Sequence, residues 1–214
     1  MTADAFWYVT ILRQLLFTPK CLGCSRLGED FCPSCASEVN PFRAQDLIEL
    51  DACFCAGNYS GWLRETVISY KNGDIGRGEV LAKLLLITSE RFLPDTPITM
   101  VPIPSSKTKV SERGYDSISH LCRKLAKAES NLTIETNCLY LQREVLDQVG
   151  LSAAQRQVNL AGAFAVRKNL SGTVMIVDDV ITTGATLNSA AKALKYAGAQ
   201  RVFALALCGN PKTR

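Results

Sequence analysis

The chain has 214 residues, 47% of them hydrophobic and 21% charged, with nine cysteines and a formal net charge of +4. That length supports one good core and a small appendage. No apolar run is long enough to span a bilayer and no internal repeat or low-complexity tract appears, which excludes a helical membrane-spanning protein and a repeat protein.

In chain order, Trp7, Tyr8, Ile11, Leu12, Leu15 and Leu16 form one apolar helical face. Docking on the protein body is the preferred reading over membrane-surface binding, which wants a basic polar face where this stretch offers only Arg13. Next come Cys21, Cys24, Cys32 and Cys35, two C-x-x-C pairs with seven residues between them. Each pair aims two thiolates at one point, and two pairs complete the tetrahedron that zinc prefers. Two disulfides would need an oxidising compartment, and no signal-peptide pattern is present, so structural zinc and a cytoplasmic location are expected. Cys53, Cys55, Cys122, Cys138 and Cys208 sit among apolar neighbours and read as small hydrophobes without an assigned function.

Pro41 and the acidic stretch to Asp51 read as a connection, which puts an N-terminal module at residues 1–45 and a larger domain at 46–214. Within the latter, strands are expected at 52–58, 98–101, 132–141 and 202–208. Helices are expected at 62–71, 79–92, from Gly114 to about residue 128, at 152–160 and at 185–197. Two prolines and a polar loop follow the 98–101 strand. Strands alternating with helices imply a mostly parallel sheet in an α/β fold. Charge is uneven: residues 1–50 sum to −2 and the remainder to +6. Lys107, Lys109, Arg113, Arg123, Lys124 and Lys127 form a basic cluster suited to a pyrophosphate, a nucleic-acid backbone or solvent.

The most informative run is VMIVDDVITTGAT, residues 174–186. Four apolar residues predict a strand buried on both faces, and Asp178 and Asp179 follow at its carboxyl end, where open α/β sheets place their ligands. Thr182, Thr183, Gly184, Ala185 and Thr186 then offer hydroxyls and backbone N–H groups at a helix start, an anion site. Carboxylates beside a phosphate cradle make sense as acceptors of sugar hydroxyls, so the implied ligand is a ribose 5-phosphate moiety. A strand with an ordinary helix cap is the plainer alternative.

This run resembles the phosphoribosyl-pyrophosphate signature of type I phosphoribosyltransferases at every position. VPIPSSKTKVSERGYD (101–116) and QVGLSAAQRQVNLAGAF (148–164) are similar to segments of the ComF family of competence-related phosphoribosyltransferase-like proteins, as are the four cysteines and the Tyr70-Lys71 step. The resemblance implies a type I phosphoribosyltransferase fold, a mostly parallel sheet flanked by helices, with an N-terminal zinc module. It places Ser105, Ser106 and Lys107 in the pyrophosphate loop, with Lys71 and Arg113 as further cations, and Gln148, Arg156 and Asn159 in a flap over the site. Magnesium would be held chiefly through the ligand. Where relatives often read Arg-Gly-Phe-Asn-Gln, this chain has Arg113-Gly114-Tyr115-Asp116-Ser117, so contacts of that Asn-Gln pair do not carry over.

The reaction implied, if turnover occurs, is displacement of pyrophosphate from phosphoribosyl pyrophosphate by a nitrogen nucleophile, with no evident general base. His120, the only histidine, reads as a surface or packing residue. The family also implies a role with single-stranded DNA entering the cytosol during natural transformation, DNA-uptake proteins as partners, and recruitment to the inner membrane face as an open alternative. Tyr70, Tyr115 and Trp62 are the stacking candidates for such a strand, with core packing the commoner role of each. An active transferase of nucleotide metabolism without a DNA role is the alternative function, and a partner-docking protein anchored by zinc a third.

Overall fold

The computed structural model describes residues 18–143 and 162–209. The apolar N-terminal face, the 152–160 helix and the flap residues Gln148, Arg156 and Asn159 lie outside them. The chain divides into two compact units, residues 1–39 and 40–214. No helix among the described residues is long and apolar enough to cross a membrane.

The smaller unit holds the cysteine segment and a short helix, α1 (Pro33–Ser37), with proline in its first turn, where a missing N–H costs nothing. Among the described residues the larger unit has eight strands: β1 (Phe42–Arg43), β2 (Ala52–Asn58), β3 (Ile98–Pro102), β4 (Leu132–Ile134), β5 (Leu139–Leu141), β6 (Phe164–Val166), β7 (Thr173–Ile181) and β8 (Arg201–Gly209). Six of them form one sheet in the order β1-β2-β8-β7-β3-β4. Every pairing is parallel except β1 with β2. Phe42 and Arg43, in a stretch whose sequence reads as a connection, are thus an antiparallel edge strand.

The central strands are apolar almost without interruption because helices cover both faces of the sheet. Val174 through Val177 and Val202 through Cys208 are buried. Helix α2 (Gly61–Lys71) is joined by a single 3-10 turn to α3 (Gly78–Phe92), which packs on β2 and β8. Helices α4 (Lys107–Arg113) and α5 (Ser117–Ala128) follow β3, and α6 (Ala185–Tyr196) follows β7. Leu187, Ala190, Ala191 and Leu194 of α6 bury one face against Val174, Ile176, Ala204 and Ala206, the alternate residues of two neighbouring strands.

Three expectations change. Gly114 does not begin a helix; at φ +77° it ends α4, in the left-handed conformation that glycine accepts without strain, and Asp116 caps the separate α5. The polar loop expected after Pro104 is largely α4 itself. The strand region at 132–141 splits, because Leu132–Ile134 joins the main sheet while Leu139–Leu141 pairs with β6 in a separate antiparallel ribbon.

Candidate functional site

The acidic pair lies inside β7, near its carboxyl end, and not beyond it. On one side the ladder continues past the pair, with Asp178 opposite Ala206 and Val180 opposite Cys208. On the other it stops at Val177 opposite Pro102, where the Ile103 N–H makes a last bond of 2.9 Å to the Val177 carbonyl. From there the chain turns away through Ser105 and Ser106. The two carboxylates therefore overhang the point where β7 and β3 part, a crevice of the kind that binds ligands in α/β sheets.

Successive strand residues face opposite sides, so Asp178 and Asp179 have different surroundings. Asp179 meets Lys71, the last residue of α2, in an ion pair of 2.7 Å. Asp178 shares its side of the sheet with Ile176 and, one strand further, with Cys53 and Cys55. Burial, reinforced by the charge of Asp179, pushes the Asp178 carboxyl up to about 7, although the Asp179 N–H donates to it at 2.8 Å. Burial likewise pushes the Cys53 and Cys208 thiols up to about 12, and the adjacent carboxylates add to the rise. These thiols are protonated, inert packing groups.

After β7 the chain makes the 182–186 turn. Gly184, at φ +73°, occupies the N-cap of α6, while Ala185 and Thr186 open its first turn. The Thr183 hydroxyl accepts from the Ala185 N–H at 3.4 Å. The helix thus presents its N-terminal N–H groups, with the positive end of its dipole, beside two carboxylates. Gly184 has a second structural reason: a Cβ there would come within 2.5 Å of the Leu47 side chain and 3.1 Å of the Gln45 amide nitrogen. The segment between β1 and β2 is therefore a strap lying against the phosphate-type turn. It is pinned there by the Glu49 N–H, which donates to the Asn188 side chain at 2.9 Å. Nothing in the sequence signals this strap, because its acidic, irregular stretch has the composition of any surface connection.

Ser106 is the N-cap of α4, its hydroxyl accepting from the Lys109 N–H at 3.3 Å, and Lys107 is the first residue of that helix. Arg113 ends α4, and two residues later the Tyr115 hydroxyl donates to the Tyr70 carbonyl, the group immediately before Lys71. Tyr70 is buried; its hydroxyl donates to the Ser117 carbonyl at 2.9 Å and lies 2.7 Å from His120 Nδ1. With its one proton committed to Ser117, Tyr70 accepts from a protonated Nδ1, which fixes the tautomer of the neutral imidazole. Burial lowers the His120 pKa, helped by Lys124 and Arg123. Tyr70 is thus a clasp between α2 and α5 and offers no stacking face to a nucleic acid.

In the smaller unit, the sulfurs of Cys21, Cys24, Cys32 and Cys35 lie within 4.8 Å of one another. The Cys24–Cys32 separation is 3.7 Å, close to the roughly 3.8 Å edge of a tetrahedron with metal–sulfur bonds of about 2.3 Å. The Cys32 N–H donates to Cys21 Sγ at 3.4 Å, and such bonds hold that thiol down at about 6, towards the thiolate a metal needs. Gly23 is the residue this geometry demands, since a Cβ there would lie 2.7 Å from Cys35 Sγ. The cluster can hold a metal ion.

Residues 82–214 match the family model of the phosphoribosyl transferase domain. The chain is 28% identical to competence protein F of Haemophilus influenzae, over 85% of this chain and 86% of that one. It is 26% identical to competence protein ComFC of Bacillus subtilis, over 78% and 67% respectively. It is 32% identical to DNA utilization protein YhgH of Escherichia coli (strain K12), over 60% of this chain and 58% of that protein's length. The turn of residues 182–186 and the acidic pair before it fall inside the matched span, on a mostly parallel sheet; the chain belongs to the phosphoribosyl transferase domain family.

Proposed function

We propose that the chain binds phosphoribosyl pyrophosphate with magnesium at the carboxyl end of β7, and that it acts in the handling of single-stranded DNA taken into the cytosol during natural transformation. The observation that carries the first part is the juxtaposition at one crevice of an acidic pair, a helix N-terminus and the Lys71 cation. Asp178 and Asp179 accept the ribose hydroxyls, and the N–H groups and hydroxyls of residues 182–186 hold the 5-phosphate. Lys71, with Ser105, Ser106, Lys107 and Arg113, forms the wall for the pyrophosphate. Magnesium, when bound, is held by the ligand's own pyrophosphate and hydroxyl oxygens and neutralises their charge. The four cysteines hold a structural zinc. Support for the DNA part comes from the names of the relatives, competence proteins and a DNA utilization protein.

The second reading is turnover: a nitrogen nucleophile forms a bond to the anomeric carbon as the bond to the pyrophosphate oxygen breaks. It is favoured by Asp178, whose carboxyl, pushed up to about 7, is poised for proton transfer at neutral pH.

Calorimetric titration with phosphoribosyl pyrophosphate and magnesium tests the site. Binding by the unaltered chain that disappears in the Asp178→Asn, Asp179→Asn double variant is the expected outcome. Absence of binding by the unaltered chain sinks the ligand assignment. Pyrophosphate release on screening nitrogenous bases would establish the second reading.

A further inference from the structure

Lys71 belongs to two halves of the crevice at once. Its backbone is tied to the segment that follows α4: the Tyr115 hydroxyl donates to the Tyr70 carbonyl, which also accepts from the Gly73 N–H at 3.1 Å. With both lone pairs of that carbonyl engaged, the peptide joining Tyr70 to Lys71 is held from two sides. The Tyr70 and Tyr115 rings reinforce the tie, meeting edge to face with centroids 5.5 Å apart. Tyr115 stands two residues beyond Arg113, so the lysine is rooted beside the wall assigned above to the pyrophosphate. Its charge is elsewhere. The ammonium lies 2.7 Å from Asp179 Oδ2, on a carboxylate assigned to the ribose hydroxyls.

The ion pair therefore stands in the way of the sugar. Its side chains are 27% and 20% exposed, so the pair is shielded from much of the solvent that weakens a surface pair. A neutral hydroxyl is the poorer donor to a carboxylate, because the hydrogen bond from an ammonium is charge-assisted and about twice as strong. A ribose hydroxyl gains Oδ2 only when the ammonium has another anion to meet, and a pyrophosphate supplies one. The four-carbon stem lets the ammonium swing between the two while the pinned backbone stays in place. A lysine ending α2 also compensates the helix dipole, but a solvated ammonium would do that without engaging Asp179.

We propose that the Lys71–Asp179 pair is a selectivity device: it occupies the sugar carboxylate in the empty site and releases it to a ligand whose pyrophosphate draws the ammonium away. Phosphoribosyl pyrophosphate is thereby admitted and ribose 5-phosphate disfavoured. The proposal rests on the ligand part of the reading above and is independent of its DNA part.

The sign of one effect separates this device from a plain phosphate contact. A lysine that only attracts phosphate would, on removal, weaken every phosphorylated ligand. Loss of the device costs phosphoribosyl pyrophosphate a cation and at the same time frees Asp179 for ribose 5-phosphate.

The test is titration calorimetry of the full chain with each ligand in turn, magnesium present throughout. It compares the unaltered protein with Lys71→Met, Asp179→Asn and the double variant. Lys71→Met keeps an unbranched stem and removes the charge. It should weaken phosphoribosyl pyrophosphate binding about ten- to a hundredfold, the range for a hydrogen bond to a charged group. It should tighten ribose 5-phosphate binding about two- to fivefold, the range for release of one ion pair. In the Asp179→Asn background the same change should no longer tighten it. Matching unfolding midpoints show that the variants are folded.

Ribose 5-phosphate affinity that falls or stays the same in Lys71→Met overturns the device and leaves the ligand assignment intact. A tightening that persists in the Asp179→Asn background does the same, as does equal affinity of the unaltered protein for the two ligands. No binding of phosphoribosyl pyrophosphate by the unaltered protein overturns the ligand assignment and the device with it.

Discussion

The two sides of β7 at its carboxyl end differ more than two neighbouring residues of one type would suggest. Asp179 faces a cation delivered by α2, at 2.7 Å, while Asp178 faces buried strand positions, where burial and the charge of Asp179 outweigh the pull of that same lysine. One carboxylate is compensated and the other is held near neutrality. The difference teaches that a repeated residue in a signature need not have the same surroundings twice: Asp179 is paired with a cation, and burial raises the Asp178 carboxyl.

The largest expected break of that asymmetry comes from Lys71→Ala. It strips Asp179 of its partner and the pyrophosphate wall of a cation, so affinity for phosphoribosyl pyrophosphate should fall by about 1.5–3 kcal/mol, the range for a charged hydrogen bond. Titration calorimetry reads this directly, and an affinity within twofold of the unaltered protein would contradict the role given to Lys71.

A somewhat smaller effect is expected from Tyr70→Phe, which removes the hydroxyl bridging Ser117 and His120 while keeping the ring. Leaving the Ser117 carbonyl and the imidazole unsatisfied should cost about 1–3 kcal/mol of stability in denaturant unfolding. Binding should weaken less than in Lys71→Ala, because the clasp positions Lys71 and touches no ligand.

Leu47→Ala probes the opposite wall. Leu47 is half-buried against Gly184, so its truncation should loosen the 182–186 turn and weaken phosphoribosyl pyrophosphate binding by a few-fold, with about 1 kcal/mol or less of stability lost. Unaltered binding would mean that the strap merely covers the turn.

What could be read from the sequence divides along the same line. Residues 174–186 are legible because strand burial, the acidic pair and the helix start are consecutive, and each depends on local chemistry. The four cysteines are legible because thiolate spacing is itself the metal geometry. The strap at 45–49 and the Tyr115–Tyr70–His120 clasp are contacts between segments far apart in sequence, and no local pattern announces them. Helix α4 escaped notice for another reason: its sequence, KTKVSER, has no apolar periodicity, and Gly114, read as a beginning, is its C-terminal stop. Tyr70 takes the commoner of the two roles open to it, burial, which the sequence does not decide because aromatic residues near a basic segment look alike whether they are buried or exposed.

The distinct natures of Asp178 and Asp179 have a pH signature. Folding raises the Asp178 carboxyl from the ordinary acidic range to about 7, so between about pH 4 and 7 the native state holds a proton that the unfolded chain has released. The contribution of this site to stability is therefore greatest below the ordinary carboxylate value and is lost as pH rises through 7. Ribose hydroxyls donate to the ionised form, so ligand binding should improve over the same rise.

The most direct measurement is phosphoribosyl pyrophosphate affinity between pH 6 and 8 for the unaltered protein, Asp178→Asn and Asp179→Asn, the ligand's own phosphate titration being common to all three. The unaltered protein and Asp179→Asn should gain affinity with pH beyond that common change, and Asp178→Asn should not. The same pH dependence in all three proteins would contradict the assignment of separate roles to the two carboxylates.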